Sequence, residues 1–441
     1  MMLQHTGSPP PIRPYPHQRL NVAIEDIRTE KEFSGVTFSG YKSVAAKTQL
    51  MKAMIAGEIE AAQYWAAELL SAGHLMMIWE TCFLIAARYI HRANPRVISY
   101  LALKLIKFRK LARAGEFTAD LEMRNDTDIR QIFGEIICVL SLSPKQHSLD
   151  NTLVKITDYD GEKMAMKCRA PNTSYADRVF RHGKAPPGMA SASASASTTS
   201  ASTSMSTSTS PSASASSLLS QSTIAATDVT RATGDPPEIY VALNEFIYSI
   251  SEEGANLQLA SFWAEWICEL DAQSRKRKLN LAILPRTKAP VDDRHMDDPV
   301  WILWEAIFDV IERKRDTKQR SILHKLAHDA LSIYTLRYTP SIKKRRRFLL
   351  YMLISYIIEV PSIERPLVHQ TNIVASICGK IGAIYNQLKK HEVRTLGSRM
   401  VEGEGGNDGT QQAELLPLPS YLPQPEAPIS VLPLRPPLPT S

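Results

Sequence analysis

Apolar residues recur at three- and four-residue steps along two long stretches of the chain, and that period predicts helices throughout both. Leu50, Met51, Met54 and Ile55 form the first stripe, in a helix opening near Ser43. Gly57 interrupts it, and a second helix is predicted over 58–72, closed by Gly73 as a C-cap. Further helices are expected over 74–91, from Asn94-Pro95 to about Arg113, and over 129–142, the last capped by Asp126 or Asp128 and stopped before Pro144. After Pro237 the same period predicts helices over 237–253, 255–272, 299–315, 318–337, 341–359 and 370–390. Only between Thr152 and Cys168 does the period shift towards two, around Asp160-Gly161, a dipeptide that suits a tight hairpin turn. The fold class expected is all-α, with a small hairpin at that point.

Between the two helical stretches lies a tract of Ser, Ala and Thr with too few apolar side chains to offset the entropy of ordering it. The organisation predicted is therefore a disordered N-terminal arm over 1–40, a first helical domain over 41–184, a flexible linker over 185–235, a second helical domain over 236–395, and a Gly- then Pro-rich, polyproline-like tail over 396–441. Composition narrows the function classes. Of 441 residues, 44% are hydrophobic, and Gly numbers only 19, which argues against a many-turned β-sandwich or a Gly-loop nucleotide enzyme. Cys82, Cys138, Cys168, Cys268 and Cys378 are odd in number, widely spaced and without a C-x-x-C, which suits reduced thiols inside a cell. The first residues, MMLQHTGSPPPIRPYPHQ, lack the apolar core of a secretory leader. The longest apolar run, Phe348 to Ile358, falls short of the roughly 20 residues that cross a bilayer, so no membrane partner is expected.

The two helical stretches resemble each other. Ala62-Gln-Tyr-Trp65-Ala66 matches Ala260-Ser-Phe-Trp263-Ala264, and Ile78-Trp79-Glu80 matches Leu303-Trp304-Glu305. An aromatic follows each second motif, Phe83 and Phe308, and the apolar helices 129–142 and 348–358 come later in the same order. This repeated order predicts a tandem duplication of a helical unit of roughly 100 residues, giving two related bundles anchored by Trp65, Trp79 and Glu80 and by Trp263, Trp304 and Glu305. An aromatic at helical spacing is a packing residue, so the tryptophans are read as core anchors and no cofactor is expected.

The segment from Ile59 to Gly73, with Tyr64-Trp65 at its centre, resembles a helix–helix step in the C-terminal helical domain of clamp-loader-like ATPases, the MgsA and WRNIP families. No G-x-x-x-x-G-K-[S/T] is present, so the likeness implies the helical collar and not the ATPase activity. Tyr41 to Tyr100, Arg124 to Lys145, Ala170-Pro-Asn172 and Asn244-Glu245-Phe246 resemble an uncharacterised all-helical family of nucleocytoplasmic large DNA viruses. That resemblance implies an intracellular viral protein, in the nucleus or cytoplasm of an infected cell, and supplies no reaction.

Few residues suggest chemistry. His324 and His328 stand four apart on a helix, the spacing of a zinc protease, but Lys325 replaces its glutamate base and no third ligand is evident. Asp292-Asp293 and Asp297-Asp298 could hold a divalent ion, although Asp298 ahead of Pro299 reads more simply as a helix cap. There is no G-x-S-x-G, and no metal or catalytic residue is assigned.

The basic runs carry more. The chain holds 52 basic and 45 acidic residues, a mild net charge of +7 that does not itself indicate nucleic acid. Arg313 to Arg315 suits a helix C-terminus, where cations meet the dipole favourably. Lys343, Lys344, Arg345, Arg346 and Arg347 instead follow a helix start at Pro340-Ser341, where each exposed cation in the first turn costs roughly 0.3–1 kcal/mol. An anion would relieve that cost, so these side chains are expected to face solvent and to bind phosphates, with a solvated cluster or an import signal as the alternatives. Arg275, Lys276, Arg277 and Lys278, expected in a loop, suit either role.

The function expected is a non-enzymatic scaffold or adaptor in viral genome replication or expression, binding protein partners and, through its second half, nucleic acid. The alternative is a virion-associated or structural protein whose basic runs serve transport or packing; an enzyme of unrecognised type ranks third. Because closure entropy grows slowly with loop length, cutting residues 188–232 to about ten should leave helical circular dichroism and melting temperature unchanged. A large loss of helicity would mean that the tract packs on the helices.

Overall fold

The computed structural model describes residues 22–145, 149–183, 234–278, 281–369 and 371–394. Among them the fold is all-α: no strand is present, and one isolated antiparallel bridge joins Val36 to Lys42. The helices are α1 (Ser43–Ala56), α2 (Ile59–Ser71), α3 (Leu75–Leu84), α4 (Arg96–Ala114), α5 (Thr127–Leu142), α6 (Gly161–Lys167), α7 (Tyr240–Ile250), α8 (Leu257–Lys276), α9 (Val300–Arg313), α10 (Thr317–Tyr334), α11 (Ile342–Ile358) and α12 (Thr371–Leu388). The Ser/Ala/Thr tract, the first residues and the Pro-rich tail lie outside the described residues.

Local chemistry sets these boundaries. Gly57 ends α1 in the left-handed conformation, with φ 80°. Asp126 settles the choice of cap for α5, its Oδ1 accepting from Ile129 N at 2.8 Å. Asp316 caps α10 by accepting from Lys318 N and Gln319 N. Asp298 Oδ1 accepts from Val300 N at 3.1 Å, the capping contact expected of it. The expected hairpin near Asp160-Gly161 is instead helical. Asp160 accepts from Glu162 N and starts α6, so the aspartate acts as an N-cap rather than as a turn residue. The helix expected over 74–91 is α only to Leu84; it widens to a π turn over Ile85–Ile90, and His91 redirects the chain with φ 44°.

The chain forms two compact units that differ from the two sequence halves. Among the described residues, one comprises 22–78, 117–134 and 377–394, the other 79–116 and 135–376. In the first unit, α1 and α2 pack as a hairpin. From Ala61 to Ser71 every residue of α2 is buried, as the Ala-rich sequence allows. Residues 22–40 of the expected disordered arm pack on the fold, because they carry apolar side chains that the helices cover: Ile24, Phe33 and Phe38 are buried. Ser39 donates from its backbone N and its hydroxyl to Glu68 on α2. Ile27 N donates to Val393 O, which fastens the arm to the segment after α12.

In the second unit, α7 and α8 form another hairpin, α9 is largely buried, and α11 is buried from Phe348 to Ile357. No described helix is long and apolar enough to cross a membrane. The segment before α7 is fastened as the first arm is. Glu245 accepts from Arg169 N and Ala170 N, while Asn244 accepts from Tyr175 N and donates to Asn172 O. Asp235, placed in the linker by sequence, belongs to the fold: it is buried and accepts from Arg181 N, Leu284 N and the Arg286 guanidinium. The matched tryptophans fall on helices of the same rank in each half, Trp65 on α2 and Trp263 on α8, Trp79 on α3 and Trp304 on α9. All four are buried.

Gly73 closes the loop after α2 with φ 78°, and a Cβ there would meet Leu121 N at 3.1 Å. Both the left-handed backbone and the contact penalise a side chain, so Gly73→Ala should lower unfolding free energy in urea by about 1–2 kcal/mol. An unchanged midpoint would mean that this loop relaxes freely.

Candidate functional site

The basic run at the start of α11 does not face solvent as a set. Lys343 is 8% exposed, and its ammonium contacts Asp271 on α8 and, at 2.9 Å, Asp298 before α9. Burial pulls the Lys343 pKa down, but the charges of Asp298 and Asp271 outweigh it, and the pKa stands above the ordinary lysine value. Arg346 is fully buried: its guanidinium holds Glu80 Oε1 at 2.6 Å and donates to Ile333 O, Tyr334 O and Leu336 O at the end of α10. Arg347 pairs with Glu265 at 3.0 Å, and Lys344, largely exposed, pairs with Glu269 at 3.0 Å. Arg345 alone of the five is exposed with no ion pair among the described residues. The cost of placing cations at a helix start is thus met from inside, by carboxylates of α8, α3 and the α9 cap. Sequence could not show this, because Glu80 is 266 positions from Arg346 and Asp271 is 72 from Lys343.

A cavity of about 350 Å³ opens between α8 and the start of α11, lined by Glu265, Asp271, Arg275, Lys343 and Arg347 among others. Burial pushes the Glu265 carboxyl above its usual range, against the pull of Arg347 and a hydrogen bond from Tyr351. The mixture of charges there suits a self-neutralising network better than a phosphate cradle.

The second run is placed differently from expectation. Arg275 to Lys278 is the last turn and cap of α8, not a loop, because the helix runs on to Lys276, where its dipole favours cations. Arg275 pairs with Asp271 at 3.1 Å and approaches Asp298 at 3.6 Å, whereas Lys276, Arg277 and Lys278 are exposed. The acidic anchors also have partners: Glu305 meets Arg286 at 2.7 Å and Arg181 at 3.4 Å, as Glu80 meets Arg346. His324 and His328 lie with ring centroids 4.5 Å apart, beside Phe308. Burial and His324 together hold the His328 pKa down. Among the described residues no group of three or more His, Cys, Asp or Glu gathers to hold a metal.

A further group of cations without ion pairs among the described residues lies on α4. Lys107, Arg109, Lys110 and Arg113 enter no ion pair among the described residues. Burial lowers the Arg109 pKa, and the nearby charge of Arg113 lowers it further, as expected of cations crowded without anions. Leu103 and Ile106 stand on the same helix, 64% and 52% exposed. The sequence signal was available in KLIKFRKLAR, but its cations are spread at helical spacing and so escape a search for basic runs. Comparison with protein-family models, curated proteins and solved structures found no match to this chain.

Removing a buried partner exposes the other charge to an uncompensated interior. Arg346→Ala should therefore destabilise by about 3–5 kcal/mol, and Lys344→Gln, on a solvated pair, by less than about 1 kcal/mol. Urea denaturation of the two variants reads the contrast; equal losses would mean that Arg346 is not a structural pivot.

Proposed function

We propose that this protein is a non-enzymatic helical scaffold, an adaptor that acts through its surfaces on polypeptide partners. The observation that carries the reading is the distribution of charge. The cations that sequence marks as a binding site are largely neutralised by internal carboxylates, while α4 leaves unpaired cations and two large aliphatic side chains in solvent. Exposed aliphatics grouped with charge are what interfaces offer. The viral resemblance implies only an infected cell as its setting; genome replication or expression is the process we propose for such an adaptor. Nucleic acid remains a partner in this reading through exposed cations that enter no ion pair among the described residues, such as those on α4, Lys276 to Lys278 and Arg345.

The exposed Lys276, Arg277 and Lys278 favour a second reading, a structural or virion-associated protein with a basic transport signal, since a linear basic run at a helix end is open to a receptor. Crosslinking the full chain in cells that express it, followed by denaturing purification, separates the two. The scaffold reading expects a stoichiometric polypeptide partner that survives replacement of Lys276, Arg277 and Lys278 by Gln. Recovery of the chain without any such partner would overturn it, and loss of nuclear accumulation alone in the triple variant would favour the transport reading.

A further inference from the structure

We propose that the outer face of α4, with the groove beside it, is the docking site for an acidic amphipathic helix of a partner protein, an inference that rests on the scaffold reading and gives its partner a chemistry. Leu103, Ile106, Lys107, Lys110 and Arg113 follow one another at steps of three, one, three and three, and all are exposed, so they share one face of α4. Its opposite side is committed to the fold: Val97, Ile98, Leu101, Ala102, Leu105 and Phe108 are buried. Among the described residues the face is therefore an unpartnered stripe, aliphatic at one end and cationic at the other.

A groove adjoins it. Arg96, Ser99, Tyr100 and Leu103 of α4 line a cleft of about 730 Å³ together with Ile322 and Leu326 of α10 and with Ile363 and Leu367. Ser99 donates to Asp329, and Leu103, one turn later, shares the cleft with Ile322 and Leu326, so α4 and α10 run antiparallel. The cationic half of α4 consequently lies towards the start of α10, where Lys318 and Arg320 also enter no ion pair among the described residues. Lys104 is not part of the free set, because it pairs with Glu135.

Charge and shape together select the occupant. A nucleic-acid backbone would satisfy the cations but would cover Leu103 and Ile106 with phosphate and sugar, gaining nothing from their burial. A bilayer surface would meet the protruding side chains but would leave the cleft between α4 and α10 unfilled. A helix with aliphatic side chains at steps of three and four and acidic residues on its flank satisfies both, with its apolar edge in the cleft and its carboxylates over Lys107, Lys110 and Arg113.

The test uses the full chain as bait for a displayed library of random helical 20-mers, with a 20-base-pair duplex and phosphatidylserine vesicles as parallel probes. Enriched peptides should be acidic with aliphatics at three- and four-residue steps. Their affinity by fluorescence anisotropy should fall about tenfold or more with Lys107→Glu and Lys110→Glu together, and also with Leu103→Ser alone. Circular dichroism of both variants should match the parent, since the changed positions are exposed. Peptides that bind the variants undiminished would overturn this docking site while leaving the scaffold reading intact. Preferential binding of duplex or vesicles through the same residues, or enrichment without acidic residues, would overturn it as well. Absence of any polypeptide partner in the crosslinking experiment would instead sink the scaffold reading itself.

Discussion

The buried guanidinium of Arg346 is the contact on which the second unit most depends. It satisfies the carbonyls left open where α10 ends and neutralises Glu80 on α3, so one side chain of α11 ties three helices together. A helix terminus buried without partners would leave orphan carbonyls in an apolar interior. Arg suits the task better than Lys, since its planar fork presents several donors in fixed directions. Phe83 packs 5.6 Å from the guanidinium and Trp79 stacks on Phe83, which excludes water from the pair. A buried ion pair is not in itself a source of stability, but once built it fixes which helices must meet.

The neighbouring cations repeat the logic with a different geometry. Lys343 has one ammonium to share between Asp271 and Asp298, and Asp298 also caps α9, so the start of α11, the end of α8 and the start of α9 meet at one polar knot. Burial also raises the Cys268 pKa on the same stretch of α8. The five cysteines are free thiols.

Helix positions were legible in the sequence because their causes are local. Gly57, Asp126, Asp298 and Asp316 act within four residues of themselves, and the three- and four-residue step reports burial directly. The matched tryptophans Trp65 and Trp263, and Trp79 and Trp304, occupy helices of the same rank, but Trp65 and Trp79 fall in different compact units whereas Trp263 and Trp304 share one, so the expected pair of related bundles does not follow from the repeated order. What remained hidden was long-range. Nothing near Lys343 or Arg346 announces carboxylates scores of positions away, and the arm at 22–40 reads as polar until Phe33 and Phe38 find the helices that cover them. The α4 face was missed for a different reason: Lys107, Lys110 and Arg113 gather only once the chain has coiled, and a scan along the line sees them diluted by Leu, Ile and Phe.

Burying Lys343 and Arg346 also changes what the chain is before it folds. In the folded protein their charge is matched from within, but on an unfolded or newly made chain Lys343 to Arg347 is an open string of five cations, with the acids that will neutralise them still distant. That string is a ready contact for RNA or any other polyanion, which would hold the unfolded form and draw the equilibrium away from the native one. A polyanion bound at this segment would therefore compete with folding, for the same cations that Glu80, Asp271 and Asp298 hold in the native protein.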